Sequence, residues 1–219
     1  MTKELIFQYI LLIPASLIAI TVHEFSHGYM SYKLGDPTAR NLGRLTLNPI
    51  KHIDIIGLLC MIFFRFGWAK PVPVNSRYYK KPRRDMALVG AAGPLSNILL
   101  GFIGVVCFEF TWLLLPKTEF QGTAYYIVLT AHMFFVLFAD INVYLALFNL
   151  IPIPPLDGSR IFYVFLPPKA YFGIMKYEKY IMLVLIILMW AGVFSGTIGW
   201  LGDKVIVGMM RLVELIPIF

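Results

Sequence analysis

The uncharged run from Leu5 to Val22 leads directly into His23-Glu24-Phe25-Ser26-His27. An apolar stretch of that length has few places to go. Inside hydrocarbon only a helix satisfies its own backbone, so the run reads as a membrane-spanning helix that ends in HExxH. At about 100° per residue, His23 and His27 fall one turn apart on one face and can ligate the same metal ion. Glu24 is offset by one residue and can reach a metal-activated water without being a ligand. A glutamate between two histidines at the end of an apolar span is costly unless something uses it.

The rest of the chain extends the membrane reading. Hydrophobic residues make up 59% of it, charged residues 14%, and the mean hydropathy is +0.75. Four stretches are long enough to cross: Leu5–Tyr32, Met86–Leu115, Tyr125–Ile151 and Tyr180–Trp200. Ile55–Phe64 is too short and reads as re-entrant or half-inserted. The tail from Asp203 carries Lys204, Arg211 and Glu214 on an apolar background and reads as an amphipathic helix at the interface. The expected architecture is all-α and polytopic, with about four transmembrane helices, a re-entrant or β-hairpin segment and a C-terminal interfacial helix. One membrane-embedded domain covers residues 1–219, with its core at about 19–162. The N-terminal run lacks a small-x-small cleavage site and is expected to stay attached rather than act as a signal peptide.

Charge orients the spans. Of the 19 Lys and Arg, 11 lie between Lys33 and Arg84, and four more (Arg160, Lys169, Lys176, Lys179) between Pro152 and Lys179. The intervening loop has Lys117 alone. The net charge of +7 is therefore topological rather than a nucleic-acid signature. The positive-inside rule puts both basic loops in the cytoplasm and both termini outside, with the HExxH turn near the cytoplasmic face. Cys60 and Cys107 lie in apolar runs with neither metal-ligand nor disulfide spacing.

The third apolar span ends in Asn149-Leu150-Ile151-Pro152-Ile153-Pro154-Pro155-Leu156-Asp157-Gly158. Three prolines in four residues unwind the helix. Unwound backbone at membrane depth belongs where it lines a cavity or is buried in protein. Catalytic zinc takes three protein ligands and an open position, and Asp157 on the same side as the histidines supplies the third. The alternative is that Asp157 caps the helix that follows. His52 sits in a basic loop, as a surface or supporting residue. His132 falls near the opposite end of its span. Four histidines are too few for a membrane di-iron oxygenase.

HEFSH on a first span, Gly93-Pro94-Leu95-Ser96-Asn97 on a second and FNLIPIPPLDG on a third together resemble the core of the site-2 protease family of intramembrane zinc metalloproteases. The compact length resembles its small prokaryotic members, which lack PDZ or CBS domains. Asn41–Pro49 and Gly67–Asn75 also look like family features. The resemblance runs from Ala19 to about Phe162. It implies one Zn2+ per chain on His23, His27 and Asp157, with Glu24 as general base. It also implies a single-span membrane protein as substrate, cut in or near its transmembrane segment, at the cell inner membrane with the active site towards the cytoplasm. A homo-oligomer remains open, and the bilayer itself is a partner.

Two further positions make physical sense beside the resemblance. Asn97 follows Gly93 by four residues and shares its face. It is either an oxyanion or substrate contact or an interhelical hydrogen bond. Trp68, Pro71, Val72, Pro73, Val74 and Asn75 alternate apolar residues with prolines, which suits an edge strand. Such an edge can hold an unwound substrate by strand addition; the other reading is a proline-rich interfacial loop. The competing function is a metal transporter or a non-proteolytic metal-binding membrane protein, neither of which needs Glu24. Asp140, acidic within the third span, has no assigned role.

Overall fold

A computed structural model describes residues 3–57, 60, 68–115 and 122–217. They form α1 (Lys3–Lys33), α2 (Pro82–Leu114), α3 (Thr123–Asn149), α4 (Asp157–Phe162), α5 (Pro168–Met175), α6 (Glu178–Trp190) and α7 (Ser195–Val213), with shorter single turns between. Helices α1, α2 and α3 are long and apolar enough to cross a membrane, as expected for chain that must satisfy its backbone internally. Pro14 in α1 and Pro94 in α2 are the kind of interruption that spans tolerate. α3 stops at Asn149, just ahead of Pro152, Pro154 and Pro155.

The fourth apolar stretch is not one straight helix. α6 ends at Trp190, and α7 leaves it at a bend of 78°. The reason is local. Gly192 has φ +74, its N–H donates to Met189 O at 2.9 Å, and the Val193 N–H donates to Leu188 O at 3.1 Å. That is the paired bonding of a Schellman stop, and glycine takes the left-handed position without steric cost. Among the described residues, three helices are thus long and apolar enough to cross a membrane, or four if the bent pair counts as one span. The C-terminal helix begins at Ser195, eight residues before the sequence pattern placed it.

No β-strand occurs among the described residues. An isolated antiparallel bridge, Ile53 to Ala69, stands where an edge strand over Trp68–Asn75 was expected. Prolines 71 and 73 lack the N–H groups a ladder would need. Most of the expected re-entrant segment, residues 58–59 and 61–64, lies outside the described residues.

The chain divides into two compact units. The first takes residues up to Ala19, Asn97–Leu147 and Phe194 onward. Its core is Val105 and Phe108 of α2, Ala139 and Val143 of α3, and Met209 and Val213 of α7. A buried polar tie crosses this core. The Asn97 amide donates to Ala19 O of α1 at 3.1 Å and to Asn142 Oδ1 of α3 at 2.7 Å, and the Asn142 amide donates to Phe138 O at 2.8 Å. Nearby, the Tyr144 hydroxyl donates to Asp203 Oδ1 at 2.8 Å.

The second unit takes Ile20–Ser96 and Phe148–Val193. Its loops are pinned by Asp36, which is 0% exposed just past the end of α1. Asp36 Oδ1 accepts from the Thr38 N–H at 2.9 Å and from the Thr38 hydroxyl. Asp36 Oδ2 accepts from the Asn75 N–H at 2.7 Å and from the Ser31 hydroxyl at 2.8 Å; Ser31 also pairs with Tyr79. Burial pushes the Asp36 carboxyl up, but these bonds outweigh it and hold the group below the ordinary carboxylate range.

A carboxyl with a lowered folded pKa stabilises above its unfolded value, about 3.9, and loses that contribution as pH falls through the folded value. The thermal midpoint of the wild type should therefore drop more steeply than that of Asp36→Asn as pH falls below about 4. Asp36→Asn should be the less stable of the two at neutral pH. Parallel pH profiles would show that Asp36 carries no such linkage.

Candidate active site

His23 and His27 lie on one face of the last turns of α1, both buried, with rings 4.6 Å apart and nearly perpendicular. Asp157 is the first residue of α4, placed by the proline break after α3. The capping alternative fails here. Leu156 occupies the cap position, and no side chain caps the helix. The Asp157 carboxylate turns to the histidines instead, with Oδ2 3.0 Å from His23 Nε2 and 3.1 Å from His27 Nε2. The two Nε2 atoms are 3.0 Å apart.

The chemistry of this triangle calls for a cation. His27 Nδ1 lies 2.7 Å from Val89 O. A carbonyl only accepts, so Nδ1 carries the hydrogen and Nε2 of the neutral ring presents a lone pair. That lone pair faces a carboxylate oxygen. Asp157 is a carboxylic acid with an ordinary pKa of about 3.9, an anion at neutral pH. Two acceptors at hydrogen-bond distance repel unless positive charge lies between them. Edges of 3.0–3.1 Å are close to the about 3.3 Å edge of a tetrahedron with bonds near 2.0 Å, so the donor set fits zinc. Among the described residues, these are the three that form a potential metal site.

Two glycines make the approach possible. A Cβ on Gly93 of α2 would stand 2.5 Å from His27 Nε2 and 2.7 Å from His23 Cε1, so α2 can flank the imidazoles only without a side chain there. A Cβ on Gly158 would collide with Leu150 O, which is why the residue after Asp157 allows α4 to start against the end of α3.

Glu24 stands apart from the three donors. Its Oε2 accepts the Val72 backbone N–H at 2.8 Å. The segment around Val72 is held along its length. The Lys70 N–H donates to His52 O at 2.9 Å, Arg44 donates to Lys70 O at 2.7 Å, and the Asn75 N–H reaches Asp36. Val72 is buried, Pro73, Val74 and Asn75 are half-buried, and Trp68 and Pro71 are exposed. His52, expected at the surface or supporting the site, is buried, with Nε2 2.8 Å from Thr46 O. It braces a loop. Asn97 lies in the other unit, and both hydrogens of its amide are engaged there, by Ala19 and Asn142. That is the interhelical alternative, and it leaves no amide hydrogen for an oxyanion. His132 also lies in that unit, beside Thr111.

The sequence reading missed three supporting groups: Val89 O, the Val72 N–H and Asp36. The first two are backbone atoms without a residue-type signature. Asp36-Pro37-Thr38 did carry one, since Asp before Pro-Thr is a turn-forming pattern that accepts a backbone N–H two residues on.

Nitrogen and carboxylate donors for a metal, with an acid outside the donor set one residue away and apolar helices on either side, define an intramembrane zinc metalloprotease. Residues 11–192 match the family described as Peptidase family M50. YwhC of Bacillus subtilis is 41% identical over 179 residues, spanning 81% of this chain and 78% of that protein. Rip2 of Mycobacterium tuberculosis is 28% identical over 205 residues, spanning 89% and 74%. Both carry zinc metalloprotease names. No solved structure matches. This chain belongs to peptidase family M50, the site-2 proteases, whose substrates are membrane proteins.

Gly93→Ala should weaken zinc binding by about 10- to 100-fold, the range for displaced supporting groups, because a methyl group would push both imidazoles apart. Zinc titration of the chelator-stripped protein measures it. Unchanged affinity would mean that α2 does not fix the ligand rings.

Proposed function

We propose that this chain hydrolyses peptide bonds in or beside the transmembrane segment of a single-span membrane protein, with one zinc on His23, His27 and Asp157 and with Glu24 as general base. The observation that carries the reading is the convergence of those three donors, at 3.0–3.1 Å, with Glu24 outside the set. A zinc held by these three residues would supply Lewis acidity to the scissile carbonyl and to a water. Glu24, held through Oε2 by Val72, keeps its second oxygen for the proton. It takes that proton from the attacking water and returns it to the leaving amine.

Trp68, Pro71, Val72, Pro73, Val74 and Asn75 form the substrate contact in this reading. Their donor pattern restricts how a substrate pairs. Prolines 71 and 73 have no N–H, Val72 donates to Glu24 and Asn75 to Asp36, which leaves Val74 as the donor of Pro71–Asn75. An unwound substrate would then pair mainly by offering its own N–H groups to the segment's carbonyls. The two units act as one protease domain. The basic loops set a multi-pass inner-membrane topology with the site on the cytoplasmic side and both termini outside. Asn97 serves as a helix tie.

Glu24→Gln should keep close to one zinc per chain while cleavage of a single-span model substrate falls by about 10²–10⁴-fold. Normal cleavage by this variant would defeat the mechanism, and lost zinc would make Glu24 a ligand. Cysteines placed at Arg83 and Lys169 should be labelled from the cytoplasm, and one at Thr118 from outside. Labelling of Thr118 and Arg83 from one side would overturn the topology.

A further inference from the structure

The general base is held by a chain of contacts that starts outside the donor set. Glu24 Oε2 is fixed by the Val72 N–H at 2.8 Å. A backbone N–H fixes a carboxylate only as well as its own segment is fixed. Three residues on, the Asn75 N–H donates to Asp36 Oδ2 at 2.7 Å. Between the two lie Pro73 and Val74, and the proline restricts the backbone further. Asp36 is itself immobilised by Thr38 and Ser31 and follows the same α1 helix that carries Glu24. The result is a closed loop: α1 to Asp36, Asp36 to Asn75, Val72 to Glu24, and back to α1. Side-chain rotation of a glutamate would otherwise spread its carboxylate over several positions.

We propose that Asp36 is a positioning residue for Glu24: it anchors the Val72–Asn75 segment so that the Val72 N–H orients the carboxylate. Asp36 touches neither the donor triangle nor Glu24, so its effect passes through backbone. The inference rests on the reading of Glu24 as base. It also makes the segment a coupling element. A substrate that pairs with the carbonyls of Pro71–Asn75 would press on the same backbone that orients the base.

The test uses the full chain in detergent or nanodiscs, with Asp36→Asn, Glu24→Gln and the double variant. In Asp36→Asn one carboxylate oxygen becomes a donor, so Asn75 or Thr38 loses its acceptor. kcat on a single-span model substrate should fall by about 10- to 100-fold, the scale expected for a misplaced catalytic group, with zinc content unchanged. In the Glu24→Gln background the same substitution should change the residual kcat by less than about twofold, because residues acting through one another are not additive. A fall of equal size in both backgrounds would overturn the inference. Amide hydrogen exchange on the zinc-stripped protein reads the coupling without activity. Exchange at Val72 and Asn75 should speed up in Asp36→Asn, whereas Glu24→Ala should speed up Val72 and leave Asn75 unchanged. Unaltered exchange at Val72 in Asp36→Asn would refute the anchor. Should Asp36→Asn fail to hold zinc, an amide-to-ester replacement at Asn75 removes the N–H and leaves every side chain in place. It should reproduce the fall in kcat, and wild-type kcat would reject the proposal. Full cleavage by Glu24→Gln would instead defeat the base assignment, and the exchange result at Val72 would still stand on its own.

Discussion

Three atoms of metal-binding type, His23 Nε2, His27 Nε2 and Asp157 Oδ2, approach one another to 3.0–3.1 Å in a buried site. In a medium of low polarity that arrangement is tenable when a cation offsets it, since paired charge is tolerated there and unpaired charge is not. Much of the second unit can be read as what this convergence requires. The Val89 carbonyl fixes the His27 tautomer, Gly93 leaves room for both rings, and Gly158 lets the Asp157 turn close against the end of α3. Each is a separate element of the sequence, and each acts on the same few ångströms.

The same unit treats its acids differently according to what surrounds them. Asp157 is ionised against two imidazoles, which suits a ligand. Asp36 is ionised against hydroxyl and backbone donors, which suits an anchor. Glu24 accepts one backbone N–H and remains outside the donor set, which suits a proton carrier. Three carboxylates thus face three kinds of partner, which suit them to ligation, anchoring and proton transfer by surroundings rather than by residue type.

The first unit uses polar groups for cohesion. Lipid gives apolar helices little reason to prefer one another, so small residues and buried hydrogen bonds supply specificity. Asn97 bonds to the Ala19 carbonyl and to Asn142, and joins α1, α2 and α3 at one point. Tyr144 and Asp203 provide a second link, between α3 and α7. A half-satisfied amide at either place would be costly; here the Asn97 and Asn142 amides are bonded.

What the sequence determined by itself was the chemistry-bearing set. HExxH on an apolar span, a proline break before Asp157 and the scarcity of charge over three long runs pointed to the helices and to the candidate ligands and base, because helical period and hydrocarbon burial act on consecutive residues. What the tertiary structure decided depends on atoms without a side-chain signature or on residues far apart in the chain. It turned the Asp157 carboxylate to the histidines rather than to a helix cap and engaged the Asn97 amide between helices. It replaced an edge strand with a pinned, proline-interrupted segment, and split the last apolar stretch at Gly192. Hydropathy is blind to a left-handed glycine, because such a stop is a matter of backbone geometry and costs no polarity. Spacing is likewise blind to the Val72 N–H on Glu24, because a backbone amide looks the same at every position until the fold brings it to an acid.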